Sequence, residues 1–351
     1  RDGAPFRQDG AWSMHVVDTA DAVAMERRDG ALRLSLVVPM FNEEASVDAF
    51  FDAALPVIRE VADSGEIICI DDGSADATVA KVRARAASEP AIRLIEFTRN
   101  FGKEAALTAG FDHATGDAVV CIDADLQQPP ATIRDMVGKW RQGWDIVGAK
   151  RTDREADSKL RGFFSRHFYR MFNRIGSVPI PAETSDFRLF DRAVVEALTT
   201  LPESGRFMKG LFSWVGFRST SVDYVHGDRM AGQSSFRLWK LWNFALDGIT
   251  AFSTLPLRVW SYVGVLVAAF AFLYGSFIIL RTLIFGVDVP GYPSLLVVVL
   301  FLGGIQLISL GVLGEYVGRI MVETKRRPIY LVRRRTGFDA ETGAAVDRAA
   351  E

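Results

Sequence analysis

Cysteine is nearly absent from this 351-residue sequence, which has two. A disulfide framework is therefore excluded, and Cys69 and Cys121, each inside an apolar run, read as small core residues of a reducing compartment. An excess of charge is also missing: 41 Lys+Arg stand against 43 Asp+Glu, for a net charge of -2. That balance removes the broad basic face that nucleic acid binding wants. Histidine is scarce, and His15, His113, His167 and His226 show no ligand spacing, so no His/Cys zinc set exists. Neither G-x-x-x-x-G-K-[ST] nor G-x-G-x-x-G follows the first apolar run, which argues against P-loop and dinucleotide folds. A Gly-x-Ser-x-Gly elbow is missing too. The first 30 residues hold no apolar h-region, so no signal peptide is expected there.

Apolar runs are plentiful. Mean hydropathy is positive, +0.14, although 24% of residues are charged. Two uncharged stretches explain it, residues 259–280 and 292–314. At about 1.5 Å per helical residue each can cross a hydrocarbon core about 30 Å thick. The link between them holds Arg281 and Asp288 alone among charged residues. Arg229, Arg237, Lys240 and Arg258 precede the first stretch, and Arg319, Lys325, Arg326, Arg327, Arg333, Arg334 and Arg335 follow the second. The positive-inside rule then puts both flanks in the cytoplasm and the link outside. The expectation is a cytoplasmic domain tied to a membrane by a C-terminal hairpin.

Residues 1–30 are polar and aperiodic and read as a disordered lead-in. Beyond them, short β-branched apolar runs at 34–39, 66–71, 92–97, 118–123 and 146–149 are expected strands covered on both faces. Helical segments are expected at about 43–61, 76–87, 103–113 and 129–142, the last opening on Pro129-Pro130. This alternation argues a mostly parallel α/β sheet, in which ligands bind beyond the carboxyl ends of the strands.

Three of those ends run into polar clusters. The first reads Pro39-Met40-Phe41-Asn42-Glu43-Glu44, the second Asp71-Asp72-Gly73-Ser74, and the fourth Asp123-Ala124-Asp125-Leu126-Gln127-Gln128. Turns and helix caps favour Asp, Asn, Ser and Gly, so any single cluster has an ordinary reading. Three on one edge point further, because gathered carboxylates repel one another unless a cation joins them. Hard oxygen donors in an Asp-x-Asp pattern suit Mg²⁺ or Mn²⁺ bridging a diphosphate.

Taken in order, these motifs resemble glycosyltransferase family 2. They are Val-Pro-x-Phe-Asn-Glu-Glu, Asp-Asp-Gly-Ser, Arg99-Asn100-Phe101-Gly102-Lys103 and Asp-Ala-Asp-Leu-Gln-x-Pro-Pro. Ser185-Asp186-Phe187-Arg188-Leu189, Arg229-x-x-Gly232, Gly314-Glu315-Tyr316-Val317-Gly318-Arg319 and Glu323 to Tyr330 extend the likeness to the polyprenyl-phosphate glycosyltransferases, relatives of dolichol-phosphate mannose synthase. The resemblance spans about residues 33–335. It implies a GT-A fold with an appended membrane module. It also implies that Pro39, Phe41, Asn42 and Glu43 line a nucleotide site, with Asp71 and Asp72 near base and ribose. Lys103, Arg151 and Arg229 would bind substrate, Asp123, Asp125 and Gln127 would hold the metal, and Asp186 is the catalytic candidate.

The activity so implied is inverting transfer of a hexose from a nucleotide sugar to polyprenyl phosphate, with UDP-glucose the preferred donor. An acceptor phosphate with a second pKa near ~6 is largely dianionic at neutral pH, so no strong base is required. Asp186 is then as apt to position acceptor or sugar as to take a proton. The family suggests a homo-oligomer. Two departures bear on sugar identity: Gly232-Gln233-Ser234-Ser235-Phe236 stands where the family usually has Gly-Glu-Ser-Lys-Tyr, and Gln128 where Asp or His is common.

Arg237, Lys240, Asn243, Asp247, Thr250 and Thr254 recur every three or four residues, one polar stripe on a helix of Phe, Leu, Trp, Ala and Ile. Trp239 and Trp242 suit a helix lying in the membrane interface. Lys159, Arg161, Arg166, Arg170 and Arg174, among Phe and Met, suit anionic headgroups better than nucleic acid. The expected layout is a lead-in (1–30), a cytoplasmic catalytic domain (31–232), an interfacial helix (233–258), a transmembrane hairpin (259–314) and a basic cytoplasmic tail (315–351), on an inner membrane. Other readings are a processive polysaccharide synthase, for which Gln233, Arg237 and Trp239 have the wrong spacing, and an inactive scaffold, against which Asp123 and Asp125 argue.

Overall fold

Strand β1 (Arg33–Met40) runs through the middle of the molecule with both faces covered, as its unbroken apolar sequence requires. The computed structural model describes residues 27–152, 184–225, 255–286 and 291–338. The elements after β1 are α1 (Val47–Val61), β2 (Ser64–Asp71), α2 (Thr78–Ser88), β3 (Ile92–Phe97), α3 (Lys103–His113) and β4 (Ala118–Cys121). A 3₁₀ turn (Pro130–Thr132), α4 (Ile133–Arg141) and β5 (Ile146–Arg151) follow. Next come β6 (Thr184–Asp191), α5 (Arg192–Thr199), α6 (Met208–Trp214), β7 (Ser219–Tyr224), α7 (Leu255–Phe285), α8 (Tyr292–Thr324) and β8 (Val332–Thr336).

The strands form one sheet in the order β7-β5-β6-β4-β1-β2-β3-β8. Strands β4, β1, β2 and β3 are parallel neighbours, β5 and β7 are parallel, and β6 and β8 run antiparallel to the strands beside them. This is the mostly parallel α/β architecture that the strand and helix alternation predicts. One apolar layer packs Phe50, Phe51 and Ile58 of α1 and Met136 and Trp140 of α4 on one face. The other packs α3, Val194 and Leu198 of α5 and Leu211 and Phe212 of α6 on the opposite face. Helix α3 is rich in small residues, and Gly110 is one of them because a methyl there would overlap the Val37 side chain. That close approach seats the later turns of α3 against β1.

Pro39 has an unusual place for a proline, inside a central strand. Val37 O accepts from Ile122 N, so Val37 bonds toward β4, and by the two-residue alternation Pro39 faces the same side. Strand β4 has already ended at Cys121, so the missing N–H of Pro39 faces no ladder partner. The same early ending leaves room beside β1 where the polar loops gather.

Two parts of the layout are more structured than the sequence suggests. Residues 27–30 of the lead-in are described, and Arg28 ties them down: it donates to Trp140 O (3.0 Å), Trp144 O (2.8 Å) and Asp145 Oδ1 (2.8 Å) and lies over the Trp140 ring. The basic tail continues α8 to Thr324, and Val332–Thr336 then pairs antiparallel with β3. Tyr330 stacks on Phe97 at 5.1 Å, and its hydroxyl donates to Asp112 Oδ2 at 2.8 Å. A chain rich in Arg hides this strand from a hydropathy reading, since its apolar anchor lies just before it.

The two apolar stretches form the helices α7 and α8, each longer than expected, joined across a link shorter than the expected 281–291. Among the described residues one helical stretch, Phe301–Thr324, is long and apolar enough to cross a membrane, and Tyr262–Phe277 is a shorter apolar stretch. The polar stripe at 237–254 and the basic segment at 159–174 lie outside the described residues, while 255–258 open α7.

Candidate active site

The carboxyl ends of β4, β1 and β2 are adjacent, so the three polar loops that follow them share one edge. The loops after β1 and β2 interlock through backbone donors. Asn42 N donates to Ser74 Oγ (2.9 Å), Ala75 N to Asn42 Oδ1 (2.9 Å), Glu43 N to Thr78 Oγ1 (2.8 Å) and Ala77 N to Glu44 Oε2 (2.9 Å). Asn42 takes a left-handed conformation (φ 57°), which asparagine tolerates better than most residues. The turn leaves Phe41 48% exposed on the rim, an open aromatic face beside polar groups.

Asp71 and Asp72 are buried and work on the backbone. Asp71 accepts from Gly73 N and Ser74 N, both at 3.2 Å, and shapes the turn. Gly73 has φ 77°, and a Cβ there would lie 2.8 Å from the backbone at Arg99 and Asn100. Asp72 accepts from Phe101 N (2.6 Å) and Gly102 N (2.9 Å) and so fixes the residue before Lys103. Burial pushes both carboxyls up from their ordinary pKa, against the pull of these N–H groups.

The loop after β4 is held from within. Asp123 N donates to Gln128 Oε1 at 3.2 Å, and Gln127 N donates to Asp125 Oδ1 at 3.1 Å. Leu126, between the acidic pair and the glutamines, is left-handed (φ 59°), a strained state for a non-glycine residue that surrounding bonds must maintain. Gln128 is buried and braces Asp123, a sufficient physical reason for a glutamine at this position.

Asp186 joins this rim from β6. Cys121 pairs with Arg188 in the antiparallel register, and continuing it two residues past the end of β4 sets Asp123 opposite Asp186 of β6. Lys103 bridges them, with Nζ 2.6 Å from Asp123 Oδ1 and 3.2 Å from Asp186 Oδ2. Lys209 of α6 approaches the other Asp186 oxygen, at 3.4 Å. Desolvation works against the Lys103 charge, but Asp123 and Asp186 outweigh it and hold the ammonium above its usual pKa. Desolvation likewise opposes the charge of Asp186, yet Lys103 and Lys209 hold its carboxyl at about 2. Glu104, beside Lys103, is pushed up to about 7 by burial first and by Asp186 second, while its Oε2 accepts from Met208 N at 3.2 Å.

Of the residues singled out from the sequence, Pro39, Phe41, Asn42, Glu43, Asp71, Asp72, Lys103, Asp123, Asp125, Gln127 and Asp186 gather along this edge. Arg151 ends β5, whose direction matches β4, and so reaches the same edge two strands away. Arg229 lies outside the described residues. Lys209, Glu104 and the bracing role of Gln128 are absent from the sequence reading. Lys209 lies in Phe207-Met208-Lys209-Gly210, which carries no motif, and only the fold of α6 onto α3 reveals it.

Among the described residues no group of three or more His, Cys, Asp or Glu converges on one point. A resident metal with an all-protein cage is therefore not what these side chains make. Asp123 and Asp125 are hard oxygen donors, and Mg²⁺ is commonly held by one or two carboxylates with substrate phosphates completing the shell. The donor set fits an ion shared with a diphosphate.

Residues 35–199 match Glycosyl transferase family 2, and residues 255–320 match the GtrB C-terminal hairpin. A prophage bactoprenol glucosyl transferase homolog of Escherichia coli (strain K12) is 50% identical over 303 residues, covering 86% of this chain and 99% of that protein. The bactoprenol glucosyl transferase of Shigella phage SfV is 51% identical over 302 residues, 86% of this chain and 98% of the relative. Among solved structures, glucosyl-3-phosphoglycerate synthase from Mycobacterium tuberculosis in complex with Mg²⁺ and uridine-diphosphate is 22% identical, with a TM-score of 0.45 over 62% of this chain and 77% of that one.

Proposed function

This chain belongs to glycosyl transferase family 2, and we propose that it transfers a hexose, with UDP-glucose the preferred donor, from a nucleotide sugar to polyprenyl phosphate at a membrane surface. The observation that carries this reading is the rim itself: Asp123 and Asp186 meet across Lys103, beside the interlocked loops of β1 and β2. The names of the relatives, bactoprenol glucosyl transferases, support the acceptor class.

In this reading Phe41 offers its open ring to the base, and Asn42 and Glu43 border the same pocket. Asp123 and Asp125, with Gln127, would hold Mg²⁺ or Mn²⁺, which supplies Lewis-acid charge for the leaving diphosphate. A lipid phosphate oxygen attacks the anomeric carbon in line. Its lone pair forms the new C–O bond, the bond to the diphosphate oxygen breaks, and the electron pair leaves with the nucleoside diphosphate. Configuration inverts, giving a β-linked product from an α-linked donor. The acceptor dianion has no proton to lose, which agrees with an Asp186 carboxyl at about 2, too weakly basic to take one. Asp186 instead holds the two lysines in place, and their charge favours the dianion and the departing diphosphate.

Membrane attachment is part of the proposal. Phe272 and Phe285 of α7, and Leu295, Phe301 and Leu307 of α8, are all strongly exposed and fall on different sides of their helices. Apolar surface costs about 25 cal/mol per Å² in water, so helices exposing large residues all round call for lipid as solvent. Both helices would then span an inner membrane, with the catalytic sheet and the Arg-rich end of the chain in the cytoplasm. The test is incubation of membranes carrying this protein with undecaprenyl phosphate and a panel of labelled nucleotide sugars. One donor should give label that partitions into organic solvent; label from none of them would defeat the proposal.

A further inference from the structure

Each oxygen of the Asp186 carboxylate faces a different ammonium, and the two ammoniums are not equivalent. Lys103 is committed on two sides, to Asp186 at 3.2 Å and to Asp123 at 2.6 Å. Lys209 reaches Asp186 Oδ1 at 3.4 Å, longer than the 2.7–2.9 Å of a strong charge-assisted bond, and its side chain is 24% exposed. An ammonium carries three donors, and a loose pair of this length, still partly in water, holds it only weakly. Lys209 is thus anchored in place while donors remain available to a second anion.

Its position is fixed from two directions. On the sheet side, Met208 N donates to Glu104 Oε2 at 3.2 Å, so the start of α6 is tied to the start of α3. On the other side, the Glu323 carboxylate accepts from Ser204 N (3.0 Å) and Gly205 N (3.0 Å). Glu323 is the residue before Thr324, the last of α8. Lys209 is four residues along from Gly205, a reach of at most about 14 Å. Lys209 therefore lies between the acidic rim and the end of α8.

The charges admit a second anion. Asp123 and Asp186 balance Lys103 and Lys209, and Glu104, beside Lys103, adds a negative charge only as it ionises at about 7. A phosphate monoester dianion offers Lys209 two charges where Asp186 offers one. From this geometry we infer that Lys209 binds the phosphate of the lipid acceptor, on the side of Asp186 opposite Lys103, so that acceptor and donor diphosphate are handled by different lysines. This rests on the glycosyl transfer proposed above.

Two experiments on the full chain in detergent separate the two ideas. The first is equilibrium binding of farnesyl phosphate, which needs no transfer. Lys209→Met should weaken it about ten- to a hundredfold, the worth of a hydrogen bond to a charged group, and Lys209→Arg should recover most of the loss. The second is steady-state transfer with each substrate varied in turn. Lys209→Met should raise the acceptor KM by a similar factor and leave the donor KM within about twofold. Thermal unfolding of both variants at the wild-type midpoint establishes that they fold. Equal binding of farnesyl phosphate by wild type and Lys209→Met, or a change confined to the donor KM, overturns the assignment. Lys209-dependent binding without sugar transfer from any donor would instead overturn the proposed function and leave the phosphate site standing.

Discussion

Substitution of Asp186 by asparagine separates proton transfer from charge positioning. In the wild type the carboxyl meets Lys103 at 3.2 Å and Lys209 at 3.4 Å, and these partners hold it at about 2 against an ordinary 3.8. A base of that strength carries a proton in roughly one molecule in 10⁵ at pH 7, whereas the acceptor phosphate, with a pKa near ~6, is the stronger base by far. An acid limb in the pH profile of kcat/KM therefore does not come from Asp186, and Asp186→Asn should keep that limb while lowering the rate about ten- to a hundredfold. The stability effect has a definite sign. A depressed carboxyl stabilises the fold above its unfolded pKa of 3.8, and the contribution is lost as pH falls through 2. At neutral pH that amounts to on the order of 2 kcal/mol, so the variant should melt about 4–8 °C lower at pH 7, with the difference shrinking at pH 3. The assays are lipid-glycosylation rates from pH 5 to 9 and thermal unfolding at pH 7 and 3. Loss of the acid limb in Asp186→Asn would refute the positioning role.

Three further outcomes follow from contacts around the site. Glu104 is raised to about 7, so its contribution to stability is present below 4.5 and lost as pH rises through 7; Glu104→Gln should out-melt the wild type above pH 7, and a difference independent of pH would contradict this. Glu323→Ala removes the acceptor of Ser204 N and Gly205 N, and hydrogen exchange at those amides should quicken about tenfold; unchanged protection would show that the end of α8 does not hold this loop. Tyr330→Phe keeps the ring stacked on Phe97 but strips a donor from Asp112, and denaturant titration should show a loss of about 1–2 kcal/mol, where no loss would show that water replaces it.

The parallel core and its acidic edge were legible in the sequence because their signals are local. Buried strands such as Arg33–Met40 and Ile92–Phe97 read as apolar runs, and helix starts at Lys103 and Pro130 follow turn chemistry. Strand β6 was missed as a strand although its motif was noticed, since Thr184–Asp191 alternates charge with bulk, and its value lies in pairing with β4. Strand β8 was missed because Val-Arg-Arg-Arg-Thr looks solvated until Tyr330 seats on Phe97. The acidic loops were expected to gather round a metal, and the fold also sets Lys103 and Lys209 among them. Long-range placement of a lysine leaves no periodicity to read. Asp71 and Asp72, expected near base and ribose, also accept from backbone N–H groups, contacts that depend on loops brought together only in the fold.

The most direct measurement is the yield of lipid-linked sugar, from the donor that the panel identifies, as Mn²⁺ is titrated into wild-type and Asp125→Ala membranes. A site in which Asp123 and Asp125 share a cation with the donor diphosphate predicts product that rises with Mn²⁺, falls to background with EDTA, and is lost in the variant at every concentration. Equal product from wild type and Asp125→Ala would contradict the account at its foundation.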